Sequence, residues 1–366
     1  MKSFGLFCFV ICFSLSACKG SIGDSINDGD AGSNDADNDA DDGGSGDPSA
    51  DPGADPGSDP GADPGADQGS DPGGDPGPST VLFFEDFEDD DFGSRDWYDG
   101  PQGDLSTSEH IPGSTSSFEC HFVTGAQGCS GGTPGRRQFP ESETVYLSYW
   151  VKYSANYIGS GRSYHPHEFH FVTNKDDRWV GPAYSYLTTY TEQVGGVVRI
   201  ALQDSKNNDL NCILLNNDTF VGCNGSFDDY QFSEQRSVCS CNGLVGYVDG
   251  RDCFSTGNGY YSARFWDSPE QMFKDEPGDY YKNDWHFIES YFAMNSIVNG
   301  VGLPDGVIQY WYDGELVIDT NQILMRTGQH PDMAFNQFLI AIYIGDGSPV
   351  DQTMWVDDLT VATGRR

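Results

Sequence analysis

Positive charge is what this chain has least of. Nineteen Lys and Arg stand against 57 Asp and Glu, for a formal net charge of −38 over 366 residues. Such a field repels phosphate backbones and anionic lipid surfaces, which argues against a nucleic-acid partner. Residues 1–80 hold sixteen Asp against two Lys, so −24 of the total lies on residues 81–366. An anionic polymer can bind there only through a local basic patch. No apolar run approaches the about 20 residues that a membrane helix needs. No long segment carries the 3.6-residue apolar period of a helix. Gly-x-Ser-x-Gly and His-Glu-x-x-His are both missing, which excludes the hydrolase chemistries they carry.

Aromatic residues are absent from 19–80, and aliphatic ones nearly so. Asp recurs at every fourth position from Asp47 to Asp75, usually before Pro. Such a segment cannot bury enough apolar surface to offset its chain entropy, and like charges with proline extend it. Residues 18–80 are therefore expected to be a disordered tether. Ahead of it, Lys2 precedes an apolar run from Phe4 to Leu15, the length of a signal-peptide core. The run ends in Leu15-Ser16-Ala17-Cys18, which resembles the lipobox of bacterial lipoproteins. The resemblance implies removal of residues 1–17 and acylation of Cys18. The membrane would be met through that lipid alone, and Lys19 after the Cys favours the outer membrane or cell surface.

Residues 81–366 contain all seven Trp, and several segments alternate with period two. They are Tyr146–Tyr153, His167–Val172, Val197–Leu202, Trp285–Asn295, Val307–Val317, Phe335–Ile344 and Met354–Val361. Alternation with aromatic and β-branched enrichment predicts strands, and the turn residues between them predict an all-β sandwich. Asp313-Gly314 reads as a two-residue hairpin turn.

The opening Phe84-Glu85-Asp86-Phe87-Glu88-Asp89 and the closing Met354-Trp355-Val356-Asp357-Asp358-Leu359 resemble the first and last strands of concanavalin-like jelly rolls, including MAM-type modules. Trp285-His286-Phe287-Ile288-Glu289, Asn295 and the run from Asp305 to Gly314 are similar to a segment of alginate-lyase-type polysaccharide lyases. The resemblance covers both ends of the domain and lapses across about 203–280, which reads as a Cys-rich insertion. It implies a structural Ca²⁺ where the first and last strands meet, with Glu88 and Asp358 as ligands, since hard oxygens suit that ion. The glucanases of this fold carry Glu-x-Asp-x-Glu on a strand, and that motif is absent.

Seven cysteines lie beyond the tether: Cys120, Cys129, Cys212, Cys223, Cys239, Cys241 and Cys253. In an exported chain they are expected to be oxidised. Cys120–Cys129 and Cys212–Cys223 can each close a short loop. Cys253 can pair with Cys239 or Cys241, or the three can form a zinc site.

Two constellations are candidates for chemistry. His165-Pro166-His167-Glu168-Phe169-His170 gathers three His, with Arg162 before it and Arg178 after it. Strict alternation puts His170 with Glu168 on one face and His167 with Phe169 on the other. β-Elimination on a uronate needs a charge neutraliser, a base and an acid, roles open to His, Tyr and Arg. Some jelly-roll alginate lyases use Gln-x-His on a strand, and Glu168-Phe169-His170 is similar. His170 is the expected proton acceptor, with Tyr291 nearby and His167 turned towards stability. Glu289, Tyr291, Asn295, Gln309 and Trp311 are expected to line a sugar cleft with Arg162 and Arg178. The function implied is a polysaccharide lyase for an acidic glycan. A lectin-like binding module and a structural surface protein are the alternatives.

Overall fold

The computed structural model describes residues 79–182, 185–203, 246–248, 251–253, 264–328 and 330–366. The signal run, Cys18, the tether, Cys212, Cys223, Cys239 and Cys241 fall outside these residues. Cys253 is described only through its backbone. Among the described residues no helix is long and apolar enough to cross a membrane.

Almost all the regular structure of the described residues is strand. In order it forms β1 (Val81–Glu85), β2 (Asp104–Ser106), β3 (Ser117–Phe122), β4 (Gly135–Ser142), β5 (Thr144–Tyr153) and β6 (His167–Thr173). It continues with β7 (Thr188–Val194), β8 (Val197–Gln203), β9 (Gly246–Val248), β10 (Arg251–Cys253), β11 (Arg264–Asp267) and β12 (His286–Ala293). It ends with β13 (Ile297–Val298), β14 (Val301–Gly302), β15 (Gly306–Tyr312), β16 (Glu315–Ile323), β17 (Phe335–Tyr343) and β18 (Gln352–Ala362). Two antiparallel sheets carry the architecture. The first runs β16-β15-β12-β5-β18-β3-β2, with β1 also on β18, and the second runs β11-β8-β7-β6-β17-β4. This is the two-sheet jelly roll that the sequence predicts. The first and last strands pair as expected, Glu85 opposite Leu359 and Val81 opposite Ala362.

Alternation explains why these segments pair face to face. Val145, Leu147, Tyr149, Val151 and Tyr153 of β5 point inward, as do Ile288 and Phe292 of β12 and Ile308, Tyr310 and Tyr312 of β15. From the second sheet Phe169, Phe171, Val198, Ile200, Leu202, Phe338, Ile340 and Ile342 meet them. Tyr149 contacts Phe169 across the sandwich at 4.5 Å between ring centroids, and Phe169 stacks on Phe338 at 6.1 Å. Truncating one such buried Phe to Ala typically costs about 3–5 kcal/mol, because transfer and cavity terms add.

Asp313 and Gly314 join β15 to β16 with φ of 48° and 85°, the left-handed pair that a tight hairpin needs. Cys120 and Cys129 are disulfide-bonded, with Cys120 fully buried beside the core. Part of the stretch expected to be an insertion belongs to the fold itself. β11 pairs with β8 at the edge of the second sheet, and Met272 and Phe273 join the core.

Candidate functional site

The face of β6 turned away from the core collects the histidines. Strict alternation fails at the start of this strand. Its pairing with β17 shifts register between Ile340 and Tyr343, opposite Phe169 and His167. The extra residue is on β17, where Ala341 and Ile342 stand opposite Glu168 alone, and a bulge of this kind re-aims side chains. Glu168 and Phe169 both turn inward as a result, and His167 joins His170 on the outer face. The expected separation of His167 from His170 is therefore corrected: their rings stand 6.2 Å apart, and both pack against Tyr190 of β7, at 4.7 and 4.6 Å.

Glu168 is 1% exposed and accepts a hydrogen bond from Tyr153 Oη at 3.0 Å. Burial drives its pKa well above the ordinary carboxylate value. The structure thus puts Glu168 in the core, away from the face that carries the histidines.

His167 pairs with Glu192 of β7 through Nδ1 at 2.6 Å, with its side chain 34% exposed. The contact with Glu192 engages Nδ1 and fixes the ring, so that Nε2 is the nitrogen turned away from the carboxylate. Directly across the sheet, Tyr343 of β17 is the partner of His167. Its Oη is buried and makes no hydrogen bond. Burial and Asp346 raise its pKa, so it is a protonated phenol at neutral pH. His165 accepts a hydrogen bond from the Gly345 amide at 2.9 Å, and burial pushes its pKa down to about 3. Its ring lies 4.6 Å from His167 and 5.8 Å from Tyr343. His170 is 2% exposed, and burial holds it well below the usual imidazole range. The Ala341 carbonyl pulls the other way, yet neither ring nitrogen reaches hydrogen-bond geometry.

His167, Glu192 and Tyr343 thus sit on three neighbouring strands, β6, β7 and β17. Sequence reasoning missed Glu192, Tyr190 and Tyr343. Thr188-Thr189-Tyr190-Thr191-Glu192 alternates well enough to have signalled β7, and Tyr343 lies on the outward period of a strand already predicted.

The second constellation lies on the opposite side of the sandwich. Glu289, Tyr291, Gln309 and Trp311 all point outward from the first sheet, so none of them meets His170. Glu289 is 3% exposed, accepts Tyr146 Oη at 2.7 Å and is held bidentately by Arg365 at 2.8 and 2.9 Å. The same guanidinium covers the Trp311 ring at 4.5 Å. Gln309 donates to Asp319 at 3.0 Å. Asn295 is fully buried and clamps the backbone of Met325 and Arg326, which makes it a structural residue and not a cleft residue. Arg162 pairs with Asp346 in the loop that leads to His165.

Where the terminal strands meet, β18 is bulged between Asp357 and Thr360, with Asp358 at φ 45°. Asp86 and Glu88 crowd Asp358, and burial together with this repulsion raises its pKa. A cation would relieve that crowding. However, Glu88 already accepts hydrogen bonds from Thr115 N and Oγ1. Among the described residues no three His, Cys, Asp or Glu side chains gather into a metal-binding group. The side chains alone therefore do not fit a tightly held ion.

No protein-family model matches the chain. No curated protein matches it either. Solved structures of low identity do overlay on it. An alginate lyase from a Chlorella virus aligns at 14% identity and a TM-score of 0.47, over 78% of this chain and 100% of its own. The PL-14 alginate lyase from Aplysia kurodai aligns at 12% and 0.42, over 78% and 100%. An endo-beta-1,4-glucuronan lyase from Trichoderma reesei aligns at 12% and 0.39, over 78% and 96%. At these values the reading of the site rests on this chain's own residues.

Proposed function

We propose that the protein is a polysaccharide lyase that holds an acidic glycan across the outer face of the second sheet and cleaves it by β-elimination. One observation carries this reading: the cross-strand pair of His167, oriented by Glu192, and Tyr343, whose buried hydroxyl has no partner. His167 Nε2 takes the C5 proton of a uronate. The released electron pair forms the C4–C5 double bond, and the C4–O bond breaks towards the leaving sugar. Tyr343 Oη gives its proton to that oxygen. The two residues are proposed catalytic groups, and Glu192 is the positioning residue.

The test is absorbance of the unsaturated product when the purified protein meets alginate, glucuronan and pectin. A second reading, glycan binding without cleavage, is favoured by the burial of His170, Tyr190 and Glu192, each 4% exposed or less. Binding with no product would select it.

The lipid anchor belongs to the same proposal, since it would hold the enzyme at an envelope surface where polymer arrives. Cys18→Ser is expected to shift the protein out of the membrane fraction or leave an uncleaved precursor. A variant that fractionates and matures like the wild type overturns the anchor. Calcium between the terminal strands is a further proposal, resting on the crowding of Asp358 by Asp86 and Glu88. A ligand at 100 times its Kd adds about 2.7 kcal/mol to a native state that alone binds it. Chelator is thus expected to lower Tm by several degrees, and an unchanged melting curve rejects the ion.

A further inference from the structure

Beside the histidine face stands a cation that the fold leaves unpaired. Arg136, Arg162 and Arg199, which border this side of the second sheet, each pair with a carboxylate: Asp99, Asp346 and Asp267. Arg178 has no carboxylate partner among the described residues. Its guanidinium carbon instead lies 4.2 Å from the centre of the Tyr98 ring and 4.9 Å from the Trp179 ring. The two rings meet edge to face at 5.2 Å. Trp179 is 57% exposed, the highest value for a large hydrophobic side chain among the described residues. In a domain of net charge −24, an unpaired guanidinium set on two aromatic rings is the local basic patch that an anionic ligand requires.

The patch is built, not merely exposed. Tyr98 Oη donates to Arg178 O at 2.9 Å or to Gln337 Oε1 at 3.0 Å. Arg136 Nη1 donates to Val180 O at 2.6 Å, and the Trp179 amide donates to Asp177 Oδ1 at 2.7 Å. Val180 packs on Val172 and Leu339. Those two residues place the platform on the strands of the proposed catalytic pair: Leu339 lies four residues from Tyr343 on β17, and Val172 five residues from His167 on β6. At about 3.3 Å per residue, the platform stands on the order of 15 Å from that pair, on the same face.

We infer that Trp179, Arg178 and Tyr98 form a distal subsite for a hexuronate unit of the glycan. The exposed Trp179 ring stacks on the C–H face of the pyranose, and the Arg178 fork takes its planar carboxylate. Both demands are met by an acidic sugar, whereas a neutral sugar leaves the guanidinium unused. The inference rests on the proposed glycan-binding face and names the charge class of its substrate.

Binding separates this inference from the catalytic proposal. Kd is measured by calorimetry for the purified protein with hexasaccharides of alginate, glucuronan and polygalacturonate, and with a neutral cello-hexaose. Trp179→Ala is expected to weaken the uronate it binds by about tenfold, and Arg178→Gln to do the same while leaving any neutral binding unchanged. Both side chains are exposed, so Tm should hold. In turnover the loss should fall on KM, with kcat retained. Uronate binding that drops in both variants supports the subsite even where no product forms, and then only the catalytic proposal fails. Uronate binding equal in wild type and both variants overturns the subsite and leaves the catalytic proposal standing. Failure of the wild type to bind any of the three uronates overturns both.

Discussion

His167→Ala is expected to lower kcat by about 10²- to 10⁴-fold while the protein stays folded, because general-base catalysis contributes about that much. The ring is one-third exposed and packs on the outer face, so its removal leaves the core untouched. Tyr343→Phe is expected to act on the same step, removing the proton donor and nothing else. Glu192→Gln tests positioning. Losing the carboxylate leaves the ring less firmly oriented, so kcat should fall while KM holds. His170→Phe is the contrast. It keeps a ring in the buried site and removes two nitrogens that make no hydrogen bond, so turnover should survive. Loss of turnover in His170→Phe with activity retained in His167→Ala would return the proton to His170.

Glu168→Gln is expected to stabilise the protein at neutral and alkaline pH. In the unfolded chain this carboxyl titrates near 4.5, and burial raises the value in the fold. The folded state therefore binds the proton more tightly. The associated stability is complete below pH 4.5 and is lost as pH rises towards the folded-state value. Glutamine is neutral at every pH and can still accept from Tyr153, so it removes that loss. The Tm difference, variant minus wild type, should be small in acid and grow as pH rises. Each kcal/mol recovered moves Tm by about 2–4 °C in a domain of this size class. Parallel Tm curves across the pH range would mean that Glu168 carries no raised pKa.

Much of the fold was legible because period-two alternation depends only on which face a residue occupies. β5, β12, β15, β17 and β18 could be read in this way; the hairpin at Asp313-Gly314 followed from its turn residues, and the pairing of the first strand with the last from the resemblance of the two ends to jelly rolls. The register slip beside β6 was not legible. The extra residue sits on the partner strand, between Ile340 and Tyr343 of β17, so nothing in His167-Glu168-Phe169-His170 marks where the pleat slips. That single shift moved Glu168 into the core and His167 onto the face. The Glu289–Trp311 group failed for a different reason. Sequence places residues on a strand face, but it does not say which sheet a strand joins, so Tyr291 was paired with a histidine across the sandwich. Nor could it show that Arg365, far along the chain, lies over Trp311 and Glu289.

The central claim is that His167 and Tyr343 form an acid–base pair acting on a uronate. Its most direct test follows absorbance of the unsaturated product from alginate, glucuronan and pectin with the wild type, His167→Ala and Tyr343→Phe. The expected result is product from at least one polymer with the wild type, and a rate lower by about 10²-fold or more in each variant. Product formed at the wild-type rate by both variants, or no product from any polymer with the wild type, would contradict it.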